Sequence, residues 1–208
     1  MKAVLFSIKP EYCELIANGK KTIEVRKNKP KLDTPFKVYI YCTQGDALAY
    51  PCLNNSKFAI HRTNNGTLNG RQMTVKERVK SDHFFANGKV IGEFVCDSID
   101  CYTNYSLDEQ KGHVKRRIEL LRSACMTLRD WRDYIGSYIS DFGYAWHISE
   151  LAIYDKPKEL SEFIKPCPTP FQCDKCNDLV EHFGCGRTLL RPPQSWCYVE
   201  SEVQEDEL

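Results

Sequence analysis

At 208 residues, with 42% hydrophobic, 27% charged and 12% aromatic content, the chain suits one compact domain with insertions and is too apolar for wholesale disorder. No apolar run approaches the roughly 18 residues of a membrane span, and Met1 to Pro10 is too short for a signal-peptide core, so a cytoplasmic protein with no membrane partner is expected. The formal net charge is only +1, yet residues 1–90 hold sixteen Lys/Arg against seven Asp/Glu and residues 91–208 hold thirteen against twenty-one, a separation that can draw a polyanion to one side.

Residues 3–8 read as a short buried strand. Pro10 then opens a helix whose apolar positions Tyr12, Leu15 and Ile16 fall at i, i+3 and i+4, and Gly19 ends it. Thr22 to Arg26 alternates, so Thr22, Glu24 and Arg26 share one face of a strand and Ile23 and Val25 the other. Phe36 to Cys42 is a second apolar strand, entered through a turn at Asp33-Thr34-Pro35.

Residues 45–88 lack sustained periodicity and read as an irregular insertion with a short helix over Val75–Val79. Lys89 to Tyr102 resumes as one long strand, with Gly92 marking a bulge. Ser106 to Glu109 and Thr127 to Asp130 both resemble capping boxes, and Gly136 stops the second helix. Trp146 to Tyr154 reads as another alternating strand, and Ser195 to Glu200 as the last. Four or five strands with two or three helices, and no regular strand–helix alternation, predict an α+β fold built on a small mixed β-barrel. There is no internal repeat, P-loop, GxGxxG or zincin motif, and no organic cofactor is expected.

The chemistry gathers at Gly19-Lys20-Lys21-Thr22-Ile23-Glu24-Val25-Arg26. A lysine at a helix-to-strand corner can clamp phosphate or, when desolvated, serve as a base. Glu24 and Arg26, two apart on one strand face, can pair with each other or offer an acceptor and a bidentate donor to a base edge. An exposed, solvated Lys/Glu/Arg face is the plain alternative.

The pattern Gly19-x-Lys21-x-x-Glu24-x-Arg26 behind its helix resembles the GxKxxExR signature of ASCH domains, relatives of the PUA RNA-binding barrel. Gly88 to Phe94, Tyr144 to Leu151 and Arg191 to Glu200 extend the likeness. It covers most of residues 1–165, with the insertion at 45–88 outside the core, and the closing strand within 191–208. The resemblance implies a PUA-like barrel flanked by two to three helices, with a cleft where the signature meets the barrel mouth, and RNA or a modified nucleotide as partner. Lys20, Lys21, Glu24 and Arg26 would engage it, with Tyr144, Trp146 and His147 on the closing strand. One branch of the family is an amidohydrolase of acetylated cytidine that uses a Lys, a Thr and a Glu. Its Lys falls on Lys21, its Thr on Glu24 and its Glu on Ala124. The leading expectation is thus an RNA- or nucleotide-binding cleft. The alternatives are a hydrolase or ribonuclease with Lys21 and Glu24 as an acid–base pair, and a protein-interaction module.

Eleven cysteines in a reducing compartment point to thiols and metal rather than disulfides. Cys13, Cys42, Cys52, Cys96, Cys101, Cys125 and Cys197 read as small buried hydrophobes. The stretch 166–190 differs, because Cys173-x-x-Cys176 has zinc-knuckle spacing and Gly184 and Gly186 allow a tight turn about Cys185. Cys167, Cys173, Cys176 and Cys185, with His182 as an alternative ligand, are expected to hold one structural zinc in this cysteine-rich loop.

Overall fold

The fold is that of a computed structural model, described for residues 2–44, 48–51, 60–63, 67–68, 71–72, 86–105, 107, 114–167 and 187–200. The strands are β1 (Lys2–Ile8), β2 (Ile23–Arg26), β3 (Phe36–Cys42), β4 (Leu48–Pro51), β5 (Ile60–Thr63), β6 (Thr67–Leu68), β7 (Arg71–Gln72), β8 (Lys89–Cys96), β9 (Ile99–Thr103), β10 (Phe142–His147), β11 (Ser149–Glu159) and β12 (Trp196–Glu200). Among the described residues three helices accompany them, α1 (Pro10–Ala17), α2 (Val114–Ser123) and α3 (Leu128–Ile135).

The core is mixed α+β, and its strands form two sheets rather than one closed barrel. The larger runs β11-β8-β3-β1-β12, with β1 and β3 parallel and the other neighbours antiparallel. The smaller runs β2-β10-β9, antiparallel throughout. Strand alternation then decides which residues meet. Val4, Phe6 and Ile8 of β1 point into the space between the sheets, where Phe94, Trp146 and the α1 residues Cys13 and Ile16 join them. Ala3 and Leu5 point to the opposite face, covered by Leu160, Phe163 and Leu189. Ile23 and Val25 of β2 bury against Leu120, Trp131 and Ile135, so α2 and α3 close the far side of the small sheet.

Two expected long strands are each broken where the chain passes from one sheet to the other. Lys89 to Tyr102 splits into β8 of the large sheet and β9 of the small one, and Trp146 to Tyr154 lies across β10 and β11 in the same way. Because β8 pairs with β11 and β9 with β10, a bent two-stranded ribbon links the two sheets. Strands that turn a corner between packed sheets give this barrel-like outline without closure.

Gly92 does mark a bulge. The β3–β8 register jumps between Ile40 and Tyr41, and a Cβ on Gly92 would lie 2.4 Å from the Ala152 carbonyl oxygen. The insertion carries two short antiparallel pairs, β4 with β5 and β6 with β7, where an irregular segment was expected. The helix expected over 75–79, Cys52, and all of the Ser106 to Glu109 capping box except Leu107 lie outside the described residues. Of the other cysteines read as buried, Cys13, Cys42 and Cys96 are so, Cys125 and Cys197 are half-buried, and Cys101 is exposed on β9.

Candidate functional site

The site begins at the end of α1. Gly19 takes a left-handed φ of 67°, which lets the amides of Lys20 and Lys21 both donate to the Leu15 carbonyl, at 2.9 and 3.0 Å. The chain reverses there and enters β2, tied down as the Thr22 amide donates to Ser123 O at 2.9 Å and the Thr22 carbonyl accepts from the Ile148 amide at 3.0 Å. Lys21 is thereby turned inward, and the period of two sends Glu24 and Arg26 to the same side.

All three side chains are buried, Lys21 at 2%, Glu24 at 7% and Arg26 at 6% exposure, which rules out a solvated charged face. Glu24 sits between two cations, its Oε2 3.3 Å from Lys21 Nζ and its Oε1 3.0 Å from Arg26 Nη2. Lys21 Nζ also donates to the Ala124 carbonyl at 2.7 Å and lies 5.0 Å from the centre of the Tyr12 ring. Arg26 Nη2 donates to Ser7 O at 2.9 Å, and Nη1 donates to Ser195 Oγ and O at 3.2 and 3.4 Å. Its guanidinium lies over Phe6, 4.5 Å from the ring centre. The N–H of Arg26 Nε has no hydrogen-bond acceptor among the described residues.

This cluster forms part of the wall of an open cleft of about 910 Å³. Ser7, Tyr12, Lys27, Met126, Tyr134 and Ser195 also line it, as do the carboxylates Asp130 and Asp133. Burial raises the Tyr134 phenol above its ordinary pKa; nearby Arg26 opposes the shift and Glu24 adds to it. Tyr12 is raised for the same first reason, with Glu11 and Asp130 adding to it. Both phenols therefore stay protonated at neutral pH and can donate hydrogen bonds into the cleft.

A family model for the ASCH domain matches residues 6–122, more than half of the chain and including the whole Gly19 to Arg26 signature. The chain belongs to the ASCH domain family. Among solved structures, a serine-to-alanine mutant of the ASCH protein from Zymomonas mobilis is similar to this ASCH chain at 15% identity and a TM-score of 0.50, covering 96% of this chain and 89% of that one. The same protein without that mutation gives 18% identity and a TM-score of 0.45, over 96% and 89%. These likenesses concern the fold alone. No curated protein matches.

Within this ASCH fold the other expected ligand contacts separate. Lys20 is exposed and does not line the cleft. Trp146 lies opposite Glu24 in the β2–β10 register, on the expected face, but is wholly buried against Phe6, Phe36 and Trp196, with ring centres at 4.7, 5.6 and 6.1 Å. It is a core residue, and no base can stack on it. His147 lies outside the cleft and meets Asp100 on β9, Nε2 to Oδ2 at 3.1 Å. Tyr144 is half-buried beside the cleft, opposite Arg26.

Tyr134, Ser7 and Ser195 are among the cleft residues that sequence reasoning missed. Tyr134 had a signal, since it follows Trp131 by three on a capped helix and so borders the apolar stripe of α3. The two serines had none, because their meeting at Arg26 depends on strand order. Of the expected zinc ligands, Cys173, Cys176, Cys185 and His182 lie outside the described residues, and Cys167 is half-buried. Among the described residues no group of three or more His, Cys, Asp or Glu side chains could hold a metal.

Proposed function

We propose that the cleft binds a nucleotide unit of RNA, with Lys21 and Arg26 providing the positive field and the tyrosine hydroxyls adding hydrogen bonds. The observation that carries this reading is the convergence of Lys21, Glu24 and Arg26 on one open cleft, as a cluster of two cations and one carboxylate. Such a cluster attracts an anion while its single carboxylate keeps both cations in place. Lys21 Nζ donates a hydrogen bond to the Ala124 carbonyl and lies 3.3 Å from Glu24 Oε2 as an ion pair, which leaves donor capacity for a phosphate or base oxygen. Association with RNA is also the general property of ASCH domains.

The arrangement supports binding over acid–base chemistry by Lys21 and Glu24. Both oxygens of Glu24 face cations, so its charge serves to hold Lys21 and Arg26 in place. Ala124 stands where the amidohydrolase branch has a glutamate, and it contributes only its backbone carbonyl, to Lys21.

Fluorescence anisotropy with a short labelled single-stranded RNA tests the proposal across a salt series. Log affinity should fall linearly with log salt, by about 0.7 for each phosphate contacted. Lys21→Met, and Lys27→Ala on the exposed rim, should each flatten that slope. An affinity indifferent to salt would point away from RNA.

A further inference from the structure

Directly after Arg26 the chain continues Lys27-Asn28-Lys29-Pro30-Lys31, which places four cations and no carboxylate between residues 26 and 31. Lys27, Lys29 and Lys31 are all exposed. Lys27 and Asn28 still line the cleft, so this basic run is continuous with its rim. Aromatic rings stand beside it. Lys27 Nζ lies 5.4 Å from the centre of the Tyr134 ring, and Lys29 Nζ 5.7 Å from that of Tyr144. Tyr144 in turn meets Phe142 edge to face at 5.7 Å, and Phe142 is 47% exposed.

Cations alternating with accessible rings suit one kind of partner. Phosphates at regular spacing meet the lysines, and the bases between them find flat apolar faces. A protein partner of this chemistry would need an acidic segment whose side chains also stack, which bases do far better. A duplex would keep its bases away from Phe142.

We infer that the strip Lys27, Lys29, Phe142 and Tyr144 is a track for single-stranded nucleic acid leading out of the cleft, so that the ligand is an oligonucleotide rather than a mononucleotide. The inference rests on the cleft reading and extends it by one or two nucleotides. Asp133 also lines the cleft, and its carboxylate disfavours a phosphate on its own side of the wall.

The test compares UMP, octauridylate and the deoxythymidine octamer on the full chain, by calorimetry and competition. Octauridylate should bind at least about tenfold more tightly than UMP. Phe142→Ala should weaken the octamer by about 5- to 160-fold, the range spanned by one base stacking on a ring, and Lys29→Ala should lower its salt slope by about 0.7. Neither residue lines the cleft, so UMP affinity should not change, and unfolding curves of both variants confirm the fold. Equal binding of the two octamers assigns the track to any single strand, and preference for octauridylate assigns it to RNA. If UMP and octamer bind equally, or both variants leave the octamer unaffected, the track is overturned and the cleft reading stands. If the octamer responds to Phe142→Ala but not to Lys21→Met, the strip binds a strand that never enters the cleft, so the cleft reading falls and with it a track leading out of the cleft. If nothing binds, both fall.

Discussion

Glu24 is the residue on which the cleft depends most, because it is the one carboxylate between two buried cations. Removing one partner of a buried ionic group leaves uncompensated charge in a dry place, at a cost of about 3–5 kcal/mol. Glu24→Ala is expected to lower stability in urea unfolding by that amount, and Lys21→Met by less, because Glu24 keeps Arg26. A second pairing responds to pH. Glu93 accepts from Lys37 at 2.8 Å and from the Tyr154 hydroxyl at 2.6 Å. Burial alone would raise its carboxyl, but these bonds outweigh it and hold the group below the ordinary glutamate value. The stability this confers is complete above about pH 4.3, the ordinary value, and is lost as pH falls through the depressed one. Lys37→Met should therefore be less stable than the wild type at neutral pH, with the gap closing in strong acid. Residue spacing placed Glu24 and Arg26 together, since a strand's period of two is local, but it also set Thr22 on that face, whereas Thr22 is exposed and Lys21 is brought in by the turn at Gly19. It could not place Trp146, whose burial depends on Phe6, Phe36 and Trp196 from three other strands.

Helix α3 brings Tyr134 to the cleft, and its position is set by a capping box that was readable in the sequence. Thr127 Oγ1 accepts from the Asp130 amide at 3.1 Å, and Asp130 Oδ2 accepts from the Thr127 amide at 2.8 Å. Aspartate replaces the usual glutamate and still reaches. Thr127→Ala is expected to cost about 0.5–2 kcal/mol in chemical denaturation and, by loosening the first turn, to weaken ligand binding through Tyr134. The corners between sheets were not readable. Asp97-Ser98 and Ile148 carry no glycine or proline, so alternation ran straight through the points where β8 gives way to β9 and β10 to β11. At the second corner Glu150 takes a left-handed φ of 46° and the β8–β11 register shifts between Ser149 and Ala152, beside a core that gathers Phe6, Phe94 and Trp146 from both sheets.

At the scale of the molecule, the linear split of charge does not become two opposed halves. Strands β1 and β3 of the basic half lie between β8 and β12 of the acidic half, and β2 pairs with β10. What survives of the asymmetry is local, the run from Arg26 to Lys31. The base of the 166–190 loop is held by backbone bonds, Leu189 N to Phe163 O at 2.8 Å and Lys165 N to Arg187 O at 3.2 Å. The Cys173-x-x-Cys176 spacing leads us to expect about one zinc per chain in elemental analysis of protein purified without added metal. Because that base is closed independently of the metal, Cys173→Ser/Cys176→Ser should lose the zinc and leave the unfolding transition of the ASCH core nearly unchanged. Freely titrating thiols in metal-free wild type would contradict this.

The guanidinium of Arg26 is gripped from both sides, by Ser7 of β1 and by Ser195, which enters β12 169 residues further along the chain. On the ribosome Ser7 emerges long before Ser195. The signature residues emerge early, but the clamp that orients them waits for β12 to dock along β1. A fragment that stops before β12 therefore displays the GxKxxExR sequence without the Ser195 half of the clamp. Docking of β12 along β1 thus sets the orientation of a guanidinium made 169 residues earlier, and a fragment lacking it is expected to keep the signature and lose the fixed arginine.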